Sequence, residues 1–100
     1  MHAVVRTYAG PNAAQFIDQM ERNKDEIERL IAAIDGFVSY TLVRTGEGEG
    51  GASVSVYQTK HGADASSRAV EDFVETTLSA DDRVTPIVSD GEVVVHLDAR

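Results

Sequence analysis

The sequence predicts an α+β fold of the ferredoxin-like kind, β-α-β-β-α-β, with a four-stranded antiparallel sheet and two helices on one face. Three observations predict it. A β-branched N-terminal stretch is followed by a long amphipathic segment, two more β-branched stretches flank a Gly/Glu-rich loop, and a second helical segment leads to an apolar closing stretch. One hundred residues suit a single domain spanning 1–100.

Each element has its own local reason. "HAVVRTY" (His2–Tyr8) is β-branched and aromatic and stops at the breaker pair Gly10-Pro11, so it reads as a strand. Asn12 with Gln15 three residues on has the form of a capping box, and the helix it opens runs to about Ile34, with Gly36 as the stop. Phe16, Met20, Ile27, Leu30, Ile31 and Ile34 fall on one stripe about 100° wide, with Ile17 outside it. Charged residues from Asp18 to Arg29 occupy the opposite face.

"GFVSYTLVRT" (Gly36–Thr45) and "GASVSVYQT" (Gly51–Thr59) read as the second and third strands. A second helix starts between Lys60 and Asp64 and reaches about Leu78. "SADDRVTPIVSDG" reads as a loop with a short extended piece around Val84–Val88, and "GEVVVHLDA" (Gly91–Ala99) as the final strand.

The loop between strands two and three contains Gly46, Gly48 and Gly51 at the G-x-G-x-x-G spacing of a dinucleotide-binding turn. That turn works only between a strand and a helix, whose N-terminus holds the pyrophosphate. Here it joins two strands, and Glu47 and Glu49 would face the phosphates. The spacing is therefore read as a hairpin tip.

Seventeen acidic residues against nine basic ones give a net charge of −8, which disfavours nucleic acid and anionic membranes as partners. There is no cysteine, and no apolar run long enough to span a membrane or signal-peptide layout is seen, so a cytoplasmic location is expected. His2, His61 and His96 are scattered without ligand spacing, so no metal site is expected.

The strands also carry information about assembly. "AVV", "TLV" and "VVV" do not alternate, so both faces of the sheet carry apolar side chains and helices cover only one of them. A homodimer through the open sheet face satisfies this. "SVSVY" does alternate, which suits a monomer with a mixed outer face.

Taken together, the first strand, the long helix, "GFVSYTLVRT", "SVSVYQTKHGADASSRAVEDFV" and "GEVVVHL" resemble the dimeric α/β-barrel superfamily. Within it they resemble the small antibiotic-biosynthesis-monooxygenase-like domains. The resemblance covers nearly the whole chain and implies a homodimeric barrel. On that scaffold it implies cofactor-free oxygenation, haem degradation, muconolactone isomerisation or a stress-related role. Oxygenase and haem-degrading members often use an asparagine, a tryptophan, and a tyrosine or histidine, whereas this chain has no tryptophan.

Among the chain's own residues, His96 is the candidate proton acceptor, because imidazole transfers protons near neutral pH. Tyr57 and Asn23 are candidates to orient a substrate, and Ser66, Phe73 and Tyr40 to line its pocket. Arg6 and Arg44 lie on strands, where surface ion pairing is the ordinary role and carboxylate binding the alternative. The expected function is cofactor-independent, monooxygenase-like chemistry on a hydrophobic aromatic small molecule, with no bound cofactor. The alternative is a non-catalytic small-molecule-binding or stress-associated dimer.

Overall fold

A computed structural model describes residues 1–99. Its strands are β1 (His2–Tyr8), β2 (Phe37–Thr45), β3 (Gly50–Tyr57) and β4 (Ile87–Glu92), and its helices α1 (Ala13–Arg22), α2 (Lys24–Ala32) and α3 (Lys60–Thr77). A short 3₁₀ turn, Ala80–Asp82, precedes β4. The sheet order is β2-β3-β1-β4 with every neighbouring pair antiparallel, which is the ferredoxin-like arrangement expected. No helix among the described residues is long and apolar enough to cross a membrane.

The long first helix is in fact two. Asn23 leaves helical geometry at φ −103° and ψ 18°. Its amide Nδ2 donates to the Gln19 carbonyl at 2.8 Å, the same carbonyl that accepts its own backbone N–H at 3.1 Å. An asparagine that competes in this way for backbone acceptors bends a helix. The expected capping box is also absent, since the Asn12 side chain caps nothing. Its backbone carbonyl instead accepts the Phe16 N–H at 3.0 Å.

Ile17, expected outside the apolar stripe, is buried. Gly51 makes room for it, because a Cβ on that glycine would stand 2.4 Å from Ile17 Cδ1. At the tip of the β2–β3 hairpin, Gly46 and Gly48 adopt φ +63° and +89°. These are left-handed conformations that glycine tolerates without strain. The G-x-G-x-x-G spacing thus serves a strand–turn–strand.

α3 matches its expected limits. The Thr59 hydroxyl accepts the Gly62 N–H at its start, and Gly62, Ala63, Ser66, Val70 and Phe73 form its buried face.

The closing strand lies earlier than expected. β4 is Ile87–Glu92, the segment read as mostly loop, and the apolar "VVVHL" lies beyond it. The reason is register. β4 pairs with β1 from Thr7↔Ile87 to His2↔Glu92, and the ladder ends where Val93 N–H donates to the Met1 carbonyl at 2.9 Å. Val94 and Leu97 are consequently 90% and 89% exposed.

The register also sorts side chains onto two faces. Val4, Arg6, Tyr8, Tyr40, Leu42, Ser53, Ser55 and Tyr57 share the face beneath the helices, and all are buried or half-buried. The opposite face carries Ala3, Val5, Thr7, Thr41, Val43, Ala52, Val54, Val56, Ile87 and Ser89. Strand β3 therefore alternates with its serines inward and its valines outward.

Candidate functional site

Serine and arginine on the inner face leave the layer between helices and sheet unusually polar. Among the cavities along it are two of similar size. One, of about 310 Å³, lies between α1, α2 and β2 and is lined by Lys24, Tyr40 and Leu42 among others. Arg44 lies along it, its guanidinium donating to Asp18 at 2.8 Å and also to Glu21.

The other, of about 290 Å³, lies between α3, β1 and the segment leading into β4. Its walls are mainly Tyr8, Phe16, Val70, Val74, Val84 and Val88, with Glu71 and Glu75 also lining it. An apolar concavity with a few polar groups is the usual form of a small-molecule site. This cavity alone also contains a buried charge, Arg6, and is the better candidate for that reason.

Arg6 is 4% exposed. Its Nη1 donates to Ser55 Oγ at 3.2 Å and its Nη2 to Ser67 Oγ at 2.7 Å. The neighbouring phenols feel both their burial and this cation. Burial pushes Tyr8 up, opposed by the positive charge of Arg6. Burial, with the adjoining Tyr8 phenol, pushes Tyr40 up to about 12. Both rings stay protonated and able to donate hydrogen bonds across the physiological range. Tyr8 also stacks on Phe16, with centroids 4.7 Å apart, which fixes the cavity wall.

The residues expected to form the site do not converge. Tyr57 is fully buried and its hydroxyl donates to the Ile31 carbonyl at 2.9 Å, tying β3 to α2. Asn23 is engaged at the α1–α2 bend. His96 lies beyond β4, with Nε2 3.0 Å from Asp98 Oδ1. Of the expected pocket residues, Tyr40 lines the cavity beside β2. Ser66 and Phe73 are core residues, and Ser66 donates to the Ala63 carbonyl at 2.7 Å. The α3 residues that line the cavity beside that helix are Ser67, Val70, Glu71, Val74 and Glu75, and Ser67 and Val74 stand one position on from Ser66 and Phe73.

Arg6 was expected to pair at the surface and does not. The available signal was parity: Val4, Arg6 and Tyr8 alternate, so burying the two apolar members buries the arginine between them. Among the described residues no group of three or more histidine, aspartate or glutamate side chains is placed to hold a metal ion.

No protein-family profile and no curated protein matches the chain. Solved structures do. It is similar to the haem-degrader MhuD from Mycobacterium tuberculosis, solved with two haems in its active site, at a TM-score of 0.67 and 15% identity over 98% of this chain and 100% of that one. It is also similar to SnoaB, a cofactor-independent oxygenase from Streptomyces nogalater, at 0.65 and 18% identity, covering 98% and 97%. A dimeric ferredoxin-like protein from an uncultured marine organism matches at 0.68 and 15%, covering 96% of each chain. These likenesses establish the fold, which is ferredoxin-like.

Proposed function

We propose that the chain is a homodimer that takes a hydrophobic aromatic small molecule into the cavity beneath α3. There it carries out cofactor-independent, monooxygenase-like chemistry in the cytoplasm. The observation that carries the reading is the cavity itself, with aromatic and aliphatic walls around one buried cation. Similarity in fold to a cofactor-independent oxygenase supports the reaction class.

Dimerisation is supported by the outer face of the sheet. In a chain with net charge −8, its paired positions carry no charged residue, and Val5, Val43 and Val54 are 40–45% exposed on it. Two acidic copies can meet there without opposing like charges. Exposed Val94, Val95 and Leu97 add to the apolar surface that a second copy covers.

Haem does not fit this cavity. Its lining contains no histidine, cysteine or methionine, and the phenol of Tyr8 is held protonated by burial. A non-catalytic binding protein on the same scaffold is the second reading. It is favoured by the separation of His96, Tyr57 and Asn23, none of which lines this cavity.

Oxygen uptake separates the two readings. Incubation with naphthol in air should consume one O2 per turnover and yield naphthoquinone and water. The product gains one oxygen atom and loses two hydrogens because the substrate itself supplies the two electrons, while His96→Ala tests whether that residue moves the proton. Binding of naphthol without oxygen uptake selects the second reading. Absence of binding removes both.

A further inference from the structure

The chain has seventeen acidic side chains, and Arg44 at the sheet edge holds two of them. Arg6, far more deeply buried, has none within 4.0 Å among the described residues. Its partners are two neutral hydroxyls, which occupy two of the five N–H groups a guanidinium offers. A cation removed from water costs several kcal/mol unless an anion or a full set of acceptors replaces the lost hydration. Here the charge lines a cavity whose other walls are aromatic and aliphatic.

Neighbouring groups do not fill the role. Glu71 and Glu75 line the same cavity without reaching the guanidinium. Arg83, the other cation there, is committed to backbone, donating from Nε and Nη2 to the Leu78 carbonyl and from Nη2 to that of Glu75. Arg83 is exposed to solvent, so Arg6 is the buried cation of this cavity, and among the described residues only two hydroxyls answer it.

We propose that Arg6 is the anchor for a ligand oxyanion, and that the cavity takes a singly charged aromatic carboxylate whose ring lies against Tyr8, Phe16 and Val70. The planar fork of arginine matches a carboxylate with two parallel N–H···O bonds. A dianion such as a phosphate monoester is opposed by Glu71 and Glu75 in the cavity lining. The inference rests on the cavity being the ligand site and adds the charge and class of what enters it.

Calorimetry with naphthoate and its neutral counterpart naphthalenemethanol tests this on the intact chain. Naphthoate should bind about tenfold tighter than the alcohol, as expected for a charge-assisted pair. Arg6→Gln should abolish that preference while leaving the alcohol's affinity within about twofold, and Arg6→Lys should retain part of it. Equal binding of acid and alcohol by the unaltered protein overturns the anion anchor and leaves the cavity reading standing. Binding of neither overturns both. Because the acid–alcohol comparison needs no substitution, the test survives a variant that fails to fold.

Discussion

The two faces of the sheet are built from the same strands to opposite specifications. On β3 the helix side receives Gly51, Ser53, Ser55 and Tyr57, and the open side receives Ala52, Val54 and Val56. A sheet that stood alone would place these the other way round, with valines toward its helices and serines toward water. The inversion fits the proposed dimer, in which both faces are interiors of different kinds. The inner one receives hydroxyls and an arginine beside a cavity, and the outer one, uncharged at its paired positions, is the face that a second copy would cover.

The largest effect expected from disturbing this arrangement comes from the outer face. Val54→Glu puts a charge at the centre of a surface that has none, and two-fold symmetry confronts it with its own copy. Like charges so placed cost several kcal/mol. Light scattering should show the mass falling from two chains to one, with the circular dichroism spectrum unchanged. A dimer that survives the substitution places the interface elsewhere.

Next comes the contact between α1 and β3. A Cβ on Gly51 would stand 2.4 Å from Ile17 Cδ1 and 3.0 Å from the Val43 carbonyl oxygen. Gly51→Ala should therefore lower stability by about 1–3 kcal/mol through overpacking. Urea unfolding measures this, and an unchanged midpoint would mean the helix rides higher on the sheet than the structure has it.

The inner face has a signature in alkali. Tyr40 is raised from 10.0 to about 12 by burial, and Tyr8 and Tyr57 are raised for the same leading reason. A tyrosine whose folded value lies above its unfolded one contributes stability that is complete below pH 10 and declines as pH rises toward 12. Tyrosinate absorbance should thus appear only above the ordinary range and coincide with unfolding. A phenol that ionises reversibly near 10 in the folded protein would show the inner layer to be wet.

The smallest effect belongs to the edge pair of His2 and Asp90, 2.6 Å apart across β1 and β4. The hydrogen bond from His2 holds the Asp90 carboxyl below its usual value. Its contribution is present above pH 3.8 and is lost as pH falls through the lowered folded value. Asp90→Asn should lower the neutral plateau of the stability profile slightly and leave its acid end in place, so that urea-unfolding profiles of the two proteins converge as pH falls below 3.8.

Much of this was legible in the sequence and some was not, for definable reasons. Element order followed from the β-branched runs, the amphipathic stripe and the glycines at the hairpin. The alternation of "SVSVY" was plain, but its direction was not, because periodicity places residues on two faces without saying which face meets the helices. The run "VVVHL" looked more strand-like than "IVSDGE", yet it is Ile87–Glu92 that pairs with β1, from Thr7↔Ile87 to His2↔Glu92. Propensity gave way to register. Arg6 was placed at the surface because arginine usually is, although its alternation with Val4 and Tyr8 already put it inside.

The central claim is that the uncharged outer face is an interior, and the mass of the unaltered protein in solution tests it most directly. Sedimentation equilibrium at micromolar concentration and moderate salt should report two chains, with no dissociation on raising the salt, since no ion pair holds the contact. A single-chain mass across the concentration range would contradict the account and leave the valines of β3 exposed without a partner.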